Sequence, residues 1–271
     1  MKCINPRRLP NQAATSLYDS FMVVSCGNCY ACLANRRRSW LFRLKQESMD
    51  SIKSYFCTFT YNDEKFDGFL HKKHMQDFFK RLRHYEDFTY YCIGEYGTHT
   101  LRPHYHAVIF FKSLGDEDIR MLLMDNWPFG FVQIGICSYR RLNYVLHYHI
   151  RPKKIDDSHE TFQLFSKRLG LGFLNDDIIK WMCDTKQFVI KSHDGGSYVI
   201  PRYYRKKLID VGYDLDPPER VFDSDYSRDR LEKVFNKPIY EITEDEKVQF
   251  LHDIKNKSMQ KVNKYNHQDK F

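Results

Sequence analysis

The sequence of 271 residues has no apolar run that approaches the roughly 20 residues a helix needs to cross a membrane. It also lacks a basic start followed by an apolar run, the pattern of a secretory signal peptide. No internal repeat is visible, so a solenoid or other repeat array is not indicated. From these absences we expect a soluble intracellular protein that makes no contact with a membrane.

The eight cysteines are too unevenly spread to suggest a disulfide framework, and a chain of this length can bury a sizeable core without one. Cys26, Cys29 and Cys32 are spaced by two residues, and Cys3 is a distant fourth. This spacing favours a structural four-cysteine zinc site, with an iron–sulfur cluster and unligated thiols as alternatives. The remaining cysteines lie in apolar contexts and are predicted core residues: Cys57, Cys92, Cys137 and Cys183.

Basic residues outnumber acidic ones, with 43 Lys and Arg against 35 Asp and Glu, for a formal net charge of +8. Clustered positive charge is typical of proteins that bind a polyanion. Aromatic residues make up 16% of the chain, which suits stacking of bases between phosphate contacts. A solvated helix face is the alternative for each basic stretch. The predicted nucleic-acid contacts are Arg36, Arg37, Arg38, Lys80, Arg81, Arg83 and Arg151.

Short β-branched and aromatic runs alternate with amphipathic stretches, which predicts an α+β fold with a central antiparallel sheet of about five strands flanked by helices. The predicted strands are 55–61, 90–95, 105–111 and 131–136. The predicted helices are one from Arg36 that ends before Tyr55, and 71–85, 115–126 and 139–150.

Composition divides the chain into three parts. Residues 1–50 form a Cys-rich basic segment with a helix at its end, and we expect little helix or strand before residue 35. Residues 51–210 form the core. Residues 211–271 form a charged extension that includes a capping-box pattern at Thr243 and Glu246.

Two histidines, His104 and His106, precede a continuous apolar run that predicts a buried strand. Alternate side chains of a strand point to the same face, so both imidazoles can bind one divalent ion. Glu95 ends the preceding predicted strand, and a hairpin would place it beside them as a third ligand. The alternative is a pair of structural or surface histidines.

Tyr144 and Tyr148 are four residues apart, so both phenols would lie on one face of a helix and could reach the same phosphate. A free phenol, with a pKa of about 10, is only about a thousandth ionised at neutral pH and needs nearby positive charge or a base to act as a nucleophile. His147, His149 and Arg151 could supply it. The alternative is that the tyrosines simply pack against the sheet.

Four motifs occur in the order found in HUH endonucleases, and the chain resembles that superfamily. They are 58–61 (TFTY), 94–97 (GEYG), 102–106 (RPHYH) and Tyr144-x-x-x-Tyr148. More closely, the chain resembles the replication initiators of microviruses, particularly gokushoviruses, over about residues 1–210. Further segments that carry this resemblance are 26–32 (CGNCYAC), 80–83 (KRLR), 127–130 (WPFG) and 201–204 (PRYY).

The resemblance implies the HUH endonuclease fold and a rolling-circle initiator that nicks origin DNA and forms a 5′-phosphotyrosine. It also implies that the displaced strand is rejoined into a single-stranded circle. Glu95, His104 and His106 would hold Mg²⁺ or Mn²⁺, and Tyr144 and Tyr148 would be the nucleophiles. The covalent bond keeps the energy for resealing, so no ATP-binding loop is required, and none is seen.

The expected partners are single-stranded origin DNA of a small circular genome and a host helicase, single-strand-binding protein and polymerase, in the cytoplasm of a bacterial host. The chain departs from the usual Tyr-x-x-Lys-Tyr-x-x-Lys pattern, because His147 and Arg151 replace the lysines. A plasmid or mobilisation nickase of the same superfamily is an alternative function. A zinc-containing DNA-binding regulator without enzymatic activity and a metal-dependent phosphoester hydrolase are the others.

Overall fold

A computed structural model describes residue 3 and residues 5–10, 21–97, 100–113, 118–149, 159–191 and 197–213, together with positions 232, 234–238, 241–243 and 246. The chain forms two compact units. The larger unit is 33–213, and the smaller one combines 1–32 with 214–271.

The smaller unit contains two short strands, β1 (Arg7–Pro10) and β2 (Phe21–Val24), which pair antiparallel. The expectation of little regular structure before residue 35 is wrong here, because this pairing lies within it. Near the other end of the chain, the Thr243 hydroxyl accepts a bond from the Glu246 amide at 3.2 Å, and the Glu246 carboxylate accepts one from the Thr243 amide at 2.9 Å. The predicted capping box is confirmed.

Six helices and seven strands make up the rest of the described fold. The helices are α1 (Tyr30–Met49), α2 (Lys72–Leu82), α3 (Ile119–Asp125), α4 (Tyr139–Val145), α5 (Asp176–Thr185) and α6 (Arg202–Asp210). The strands are β3 (Lys53–Tyr61), β4 (Phe88–Tyr96), β5 (Pro103–Phe111), β6 (Gly130–Ile136), β7 (Phe162–Phe165), β8 (Val189–Lys191) and β9 (Ser197–Val199). Short 3₁₀ helices cover Leu146–His149 and Leu171–Phe173.

Five of these strands form one antiparallel sheet in the order β6-β3-β5-β4-β7. The predicted α+β fold with a five-stranded antiparallel sheet is confirmed, and it is consistent with the HUH type. Strand β5 lies at the centre and is apolar on both faces, which explains its unbroken hydrophobic run.

Each face of the sheet is covered by different helices. On one face, alternate residues such as Cys57, Tyr105 and Ala107 pack against α2 and α3. On the other face, Tyr91, Val108 and Phe110 pack with Leu44 of α1 and with α4. Because side chains alternate along a strand, even-numbered residues of β5 share the α1 and α4 face.

A buried polar cluster joins α1 to the sheet and to the chain near Gly170. The Glu47 carboxylate accepts bonds from Lys112 and Thr89, both at 2.7 Å, and from the Gly170 amide. Burial alone would raise the pKa of Glu47, but these donors outweigh it and hold the pKa below its ordinary value. Glu47 is therefore a charged core residue whose partners replace water.

Three features differ from the sequence predictions. The helix predicted over 139–150 is α-helical only to Val145 and continues as a 3₁₀ helix through His149. The edge strand β7 and the helices α5 and α6 were not predicted. Among the described residues, none of the helices is both long and apolar enough to cross a membrane.

Candidate metal and tyrosine site

The β4–β5 pairing brings the three predicted metal ligands together on the two inner strands. Glu95 lies directly opposite His104 in the register, and Ile93 lies opposite His106. Glu95, His104 and His106 all point to the α1 and α4 face, as the alternation of strand side chains requires. Glu95 and His106 are buried, whereas His104 is partly exposed.

One carboxylate oxygen bridges both imidazoles. Glu95 Oε1 lies 2.8 Å from His104 Nε2 and 2.9 Å from His106 Nε2. Adjacent ligands around an octahedral ion with bonds of about 2.1 Å are separated by about 3 Å, so these distances suit one shared ion. Burial by itself raises the pKa of Glu95, but bonds from His104 and then His106 lower it below its ordinary value. The carboxylate is therefore negatively charged.

The partner of His104 on its other nitrogen tests whether a cation fits. His104 Nδ1 lies 3.1 Å from the Arg102 carbonyl oxygen, which can only accept, so Nδ1 carries a proton. In a neutral ring, Nε2 is then a lone pair that faces a carboxylate oxygen at 2.8 Å. Two lone pairs at this distance repel each other, so a cation, either a proton or a metal ion, belongs between them. The donor set of two imidazoles and one carboxylate fits a divalent metal.

His106 is held by residues that the sequence analysis did not assign to the site. The Thr58 hydroxyl lies 3.0 Å from His106 Nδ1, and the Phe56 ring stacks on the imidazole at a centroid distance of 5.5 Å. A bond on the far nitrogen fixes the ring and its tautomer in metal-binding histidines. Strand alternation places Thr58 and Phe56 on one face, but only the pairing of β3 with β5 shows that Thr58 meets His106.

Tyr144 projects from α4 towards these ligands. Its phenolic oxygen lies 3.5 Å from His106 Nε2, and the two rings meet edge to face at 5.2 Å and 88°. The helix begins at the Ser138 cap, whose side chain accepts a bond from the Arg141 amide. Leu142 and Val145 are buried on the sheet, which orients the Tyr144 side of the helix.

The second tyrosine is placed less completely. The backbone of Tyr148 lies in the 3₁₀ segment, where three residues complete a turn, so the same-face argument from α-helical spacing does not carry over. The side chains of Tyr148 and His149 and all of Arg151 lie outside the described residues.

Arg37 on α1 contacts the tyrosine helix. Its Nη2 lies 3.1 Å from Asn143 Oδ1, 3.2 Å from the Asn143 carbonyl oxygen and 3.1 Å from His147 Nδ1. A guanidinium has no acceptor atom, so His147 Nδ1 accepts this bond and the neutral ring carries its proton on Nε2. Arg37 therefore brings a positive charge to the residue that stands in place of the expected lysine.

The other predicted nucleic-acid contacts lie on two different faces of the fold. Arg36 and Arg38 are exposed on α1, on the side of the sheet that holds the histidines. The three basic residues of the α2 region lie across the sheet from them. Of these, Lys80 is exposed, Arg81 donates to the Asn126 carbonyl at 2.8 Å, and Arg83 lies over the Phe88 and Tyr90 rings.

The predicted zinc ligands also converge, within the smaller unit. The sulfur atoms of Cys3, Cys26, Cys29 and Cys32 all lie within 4.8 Å of one another. They form a second candidate metal group whose ligands are entirely sulfur.

Comparisons with known proteins match the same region. The family model for the replication-associated protein ORF2 matches residues 54–169, which include both histidines and both tyrosines. The chain is 25% identical over 255 residues to the replication-associated protein ORF2 of Spiroplasma virus 4, covering 80% of this chain and 76% of that protein.

Two further relatives carry similar names. The chain is 26% identical over 226 residues to the replication-associated protein ORF4 of Chlamydia phage 1, covering 70% of this chain and 55% of that protein. It is 26% identical over 245 residues to the replication-associated protein VP4 of Bdellovibrio phage phiMH2K, covering 76% of both. No solved structure matches the chain. The predicted resemblance to microvirus replication proteins is confirmed.

Proposed function

We propose that this protein, a relative of the microvirus replication-associated proteins, is a rolling-circle replication initiator that nicks and rejoins single-stranded DNA through a tyrosine. The observation that carries the proposal is the 3.5 Å separation between the phenolic oxygen of Tyr144 and Nε2 of His106. A nucleophile and a metal-binding triad thereby adjoin one space, where a phosphate can contact both.

In this proposal Glu95, His104 and His106 hold Mg²⁺ or Mn²⁺. The bound ion would polarise a non-bridging oxygen of the scissile phosphate and offset the charge that develops on it. The chain's own residues fix the ligands: the Arg102 carbonyl orients His104, and Thr58 orients His106. Such supporting contacts keep the donor atoms aimed at one point.

The nicking step exchanges one phosphoester bond for another. The Tyr144 oxygen forms a bond to phosphorus, and the bond from phosphorus to the 3′ oxygen breaks. The phenol loses its proton and the leaving 3′ oxygen gains one, so the products are a 5′-phosphotyrosine and a free 3′-OH. Because the phosphoester is retained, rejoining by attack of a 3′-OH needs no ATP.

Positive charge near the tyrosine helix promotes loss of the phenolic proton. Arg37 supports the proposal here, since its guanidinium bonds Asn143 and His147, the residues on either side of the helix turn that carries Tyr144. Tyr148 is proposed as the second nucleophile, which would attack a regenerated origin while Tyr144 holds the first DNA end.

The finer assignments are parts of the same proposal. Exposed Arg36 and Arg38 would contact DNA phosphates on the site face, and Arg151 would add charge beyond the tyrosines. The core would occupy 51–210, with 1–50 and 211–271 as extensions. A host helicase, single-strand-binding protein and polymerase would complete replication in the cytoplasm of a bacterial host cell.

A covalent-capture experiment tests the proposal. The full chain is incubated with single-stranded DNA tiled from its own encoding genome and with Mn²⁺ or Mg²⁺, and adducts are separated on denaturing gels. We expect a metal-dependent adduct on one tile that persists in Tyr139→Phe and disappears when Tyr144 and Tyr148 are both changed to Phe. Tyr139 is a matched control because it is an exposed tyrosine on the same helix.

Other results would contradict the proposal and favour a different class. Metal-dependent cleavage without an adduct would indicate a hydrolase that uses water as the nucleophile. Salt-sensitive binding with no cleavage on any tile would indicate a DNA-binding regulator.

A further inference from the structure

The smaller unit holds a compact group of four thiols. Cys29 Sγ lies 3.4 Å from Cys32 Sγ and 3.8 Å from Cys3 Sγ, and Cys26 Sγ lies 3.9 Å from Cys32 Sγ. A disulfide bond is about 2.05 Å long, so these sulfurs are not bonded to one another. All four cysteines are free thiols.

From this geometry we propose that Cys3, Cys26, Cys29 and Cys32 bind one structural Zn²⁺ ion, at a centre separate from the histidine site. Four sulfurs at about 2.3 Å around a tetrahedral zinc ion are separated from one another by about 3.8 Å. The measured separations of 3.4, 3.8 and 3.9 Å cluster around that value. The thiols therefore already surround a space of the right size for one ion.

Backbone amides point at two of the sulfurs. The Cys26 amide donates to Cys3 Sγ at 3.2 Å, and the Cys29 amide donates to Cys26 Sγ at 3.3 Å. Amide donors stabilise the negative charge of thiolates, which are the form of cysteine that binds metal. Gly27 has a φ of +82°, a value that favours glycine, and it forms the tight turn between Cys26 and Cys29.

The local fold explains how a cysteine 23 residues away in sequence reaches this turn. Arg7 pairs with Val24 in the β1–β2 ladder, so extending that register places Cys3 opposite the 26–29 turn. Cys32 lies in the first turn of α1. One hairpin, one turn and one helix start thus supply the four ligands.

The hairpin needs such a staple. Its strands are four residues each, and all four residues of β1 are exposed, so burial stabilises it little. A two-stranded hairpin of this kind is at best marginally stable in water. A site with four protein ligands leaves no open position for a substrate, so its role is structural rather than catalytic.

The sulfur set also selects the metal. Thiolates suit zinc, whereas Mg²⁺ and Mn²⁺ prefer carboxylate, carbonyl and water oxygens. In an iron–sulfur cluster the ligands bind different irons and are held farther apart than the sulfurs seen here. The zinc site and the carboxylate–histidine site should therefore take different ions from the same solution.

The test is metal analysis of the full-length protein purified from zinc-supplemented cells without added chelator. We expect about one zinc per chain in the wild type and in the double variant His104→Ala/His106→Ala. Cys29→Ser should lose it, while Cys183→Ser, which changes a partly exposed thiol outside the cluster, should retain it. Replacing zinc with Co²⁺ in the wild type should give thiolate-to-metal charge-transfer bands and the intense visible bands of tetrahedral cobalt.

The wild-type measurements do not depend on a variant folding. Substoichiometric zinc in the wild type, iron with sulfide in its place, or zinc that disappears with the histidines instead of with Cys29 would overturn the proposal. None of these readouts requires DNA cleavage, so this proposal and the nicking activity can fail independently.

Discussion

Replacing Thr58 with Val should weaken metal binding without removing any metal ligand. The change keeps the shape of the side chain and deletes the hydroxyl that lies 3.0 Å from His106 Nδ1. Loss of a supporting hydrogen bond of this kind typically lowers metal affinity about 10–100-fold. At about 1.4 kcal/mol per factor of ten, this corresponds to about 1.4–2.8 kcal/mol.

The structure provides a matched control on the same strand. Thr60 points to the same face, two residues away and opposite His104, yet its hydroxyl makes no hydrogen bond to either histidine within the described part of the chain. Thr60→Val should therefore change metal affinity less than about threefold, well below the range expected for a lost supporting bond.

Two assays measure the effect. Titration with Mn²⁺, followed by the electron paramagnetic resonance signal of the free ion, gives affinity without DNA. The Mn²⁺ concentration for half-maximal adduct formation should rise by the same factor in Thr58→Val, with a similar rate at saturating metal. Equal Mn²⁺ affinity in Thr58→Val and the wild type would refute the role assigned to this hydroxyl.

Three further predictions concern charged residues. Arg37→Ala should slow adduct formation about 10–100-fold, because it removes charged bonds worth about 1.5–3 kcal/mol, while exposed Arg36→Ala should mainly alter the salt dependence of DNA binding; single-turnover assays at two salt concentrations separate the two effects. Glu47→Gln should cost about 1–3 kcal/mol of stability at pH 7 in urea unfolding. The folded-state pKa of Glu47 is lowered, so its contribution is present above its unfolded pKa and is lost as the pH falls through the folded value; the deficit of the variant should shrink below pH 4.5. Lys80→Glu, on the opposite face from the histidines, should leave adduct yield at saturating DNA unchanged, and a large loss there would show that DNA wraps around both faces of the sheet.

The sheet and the metal ligands were predictable because they depend on local patterns. Alternation along β5 places His104 and His106 together, and a tight antiparallel connection brings Glu95 opposite His104. These are contacts between residues about ten positions apart. The same reasoning predicted that Tyr144 lies on a helix after the last long strand.

The remaining features depend on contacts that the sequence pattern does not contain. The amphipathic pattern of α2 indicates which side of the helix is buried, but not which face of the sheet it covers. The contact of Arg37 with His147 joins residues 110 positions apart, and neither one is unusual in sequence. The change from α to 3₁₀ geometry at Leu146 likewise follows no residue that breaks a helix.

The most direct test of the account is identification of the amino acid that becomes linked to DNA. The captured adduct would be digested with nuclease and trypsin, and the nucleotide-bearing peptide fragmented by mass spectrometry. Both tyrosines lie on the peptide that begins at Leu142, after Arg141, so fragmentation is needed to distinguish them. The account predicts a nucleotide on Tyr144, with Tyr148 modified when Tyr144 is changed to Phe. A nucleotide on a residue outside this helix, or a captured product without any covalent nucleotide, would contradict it.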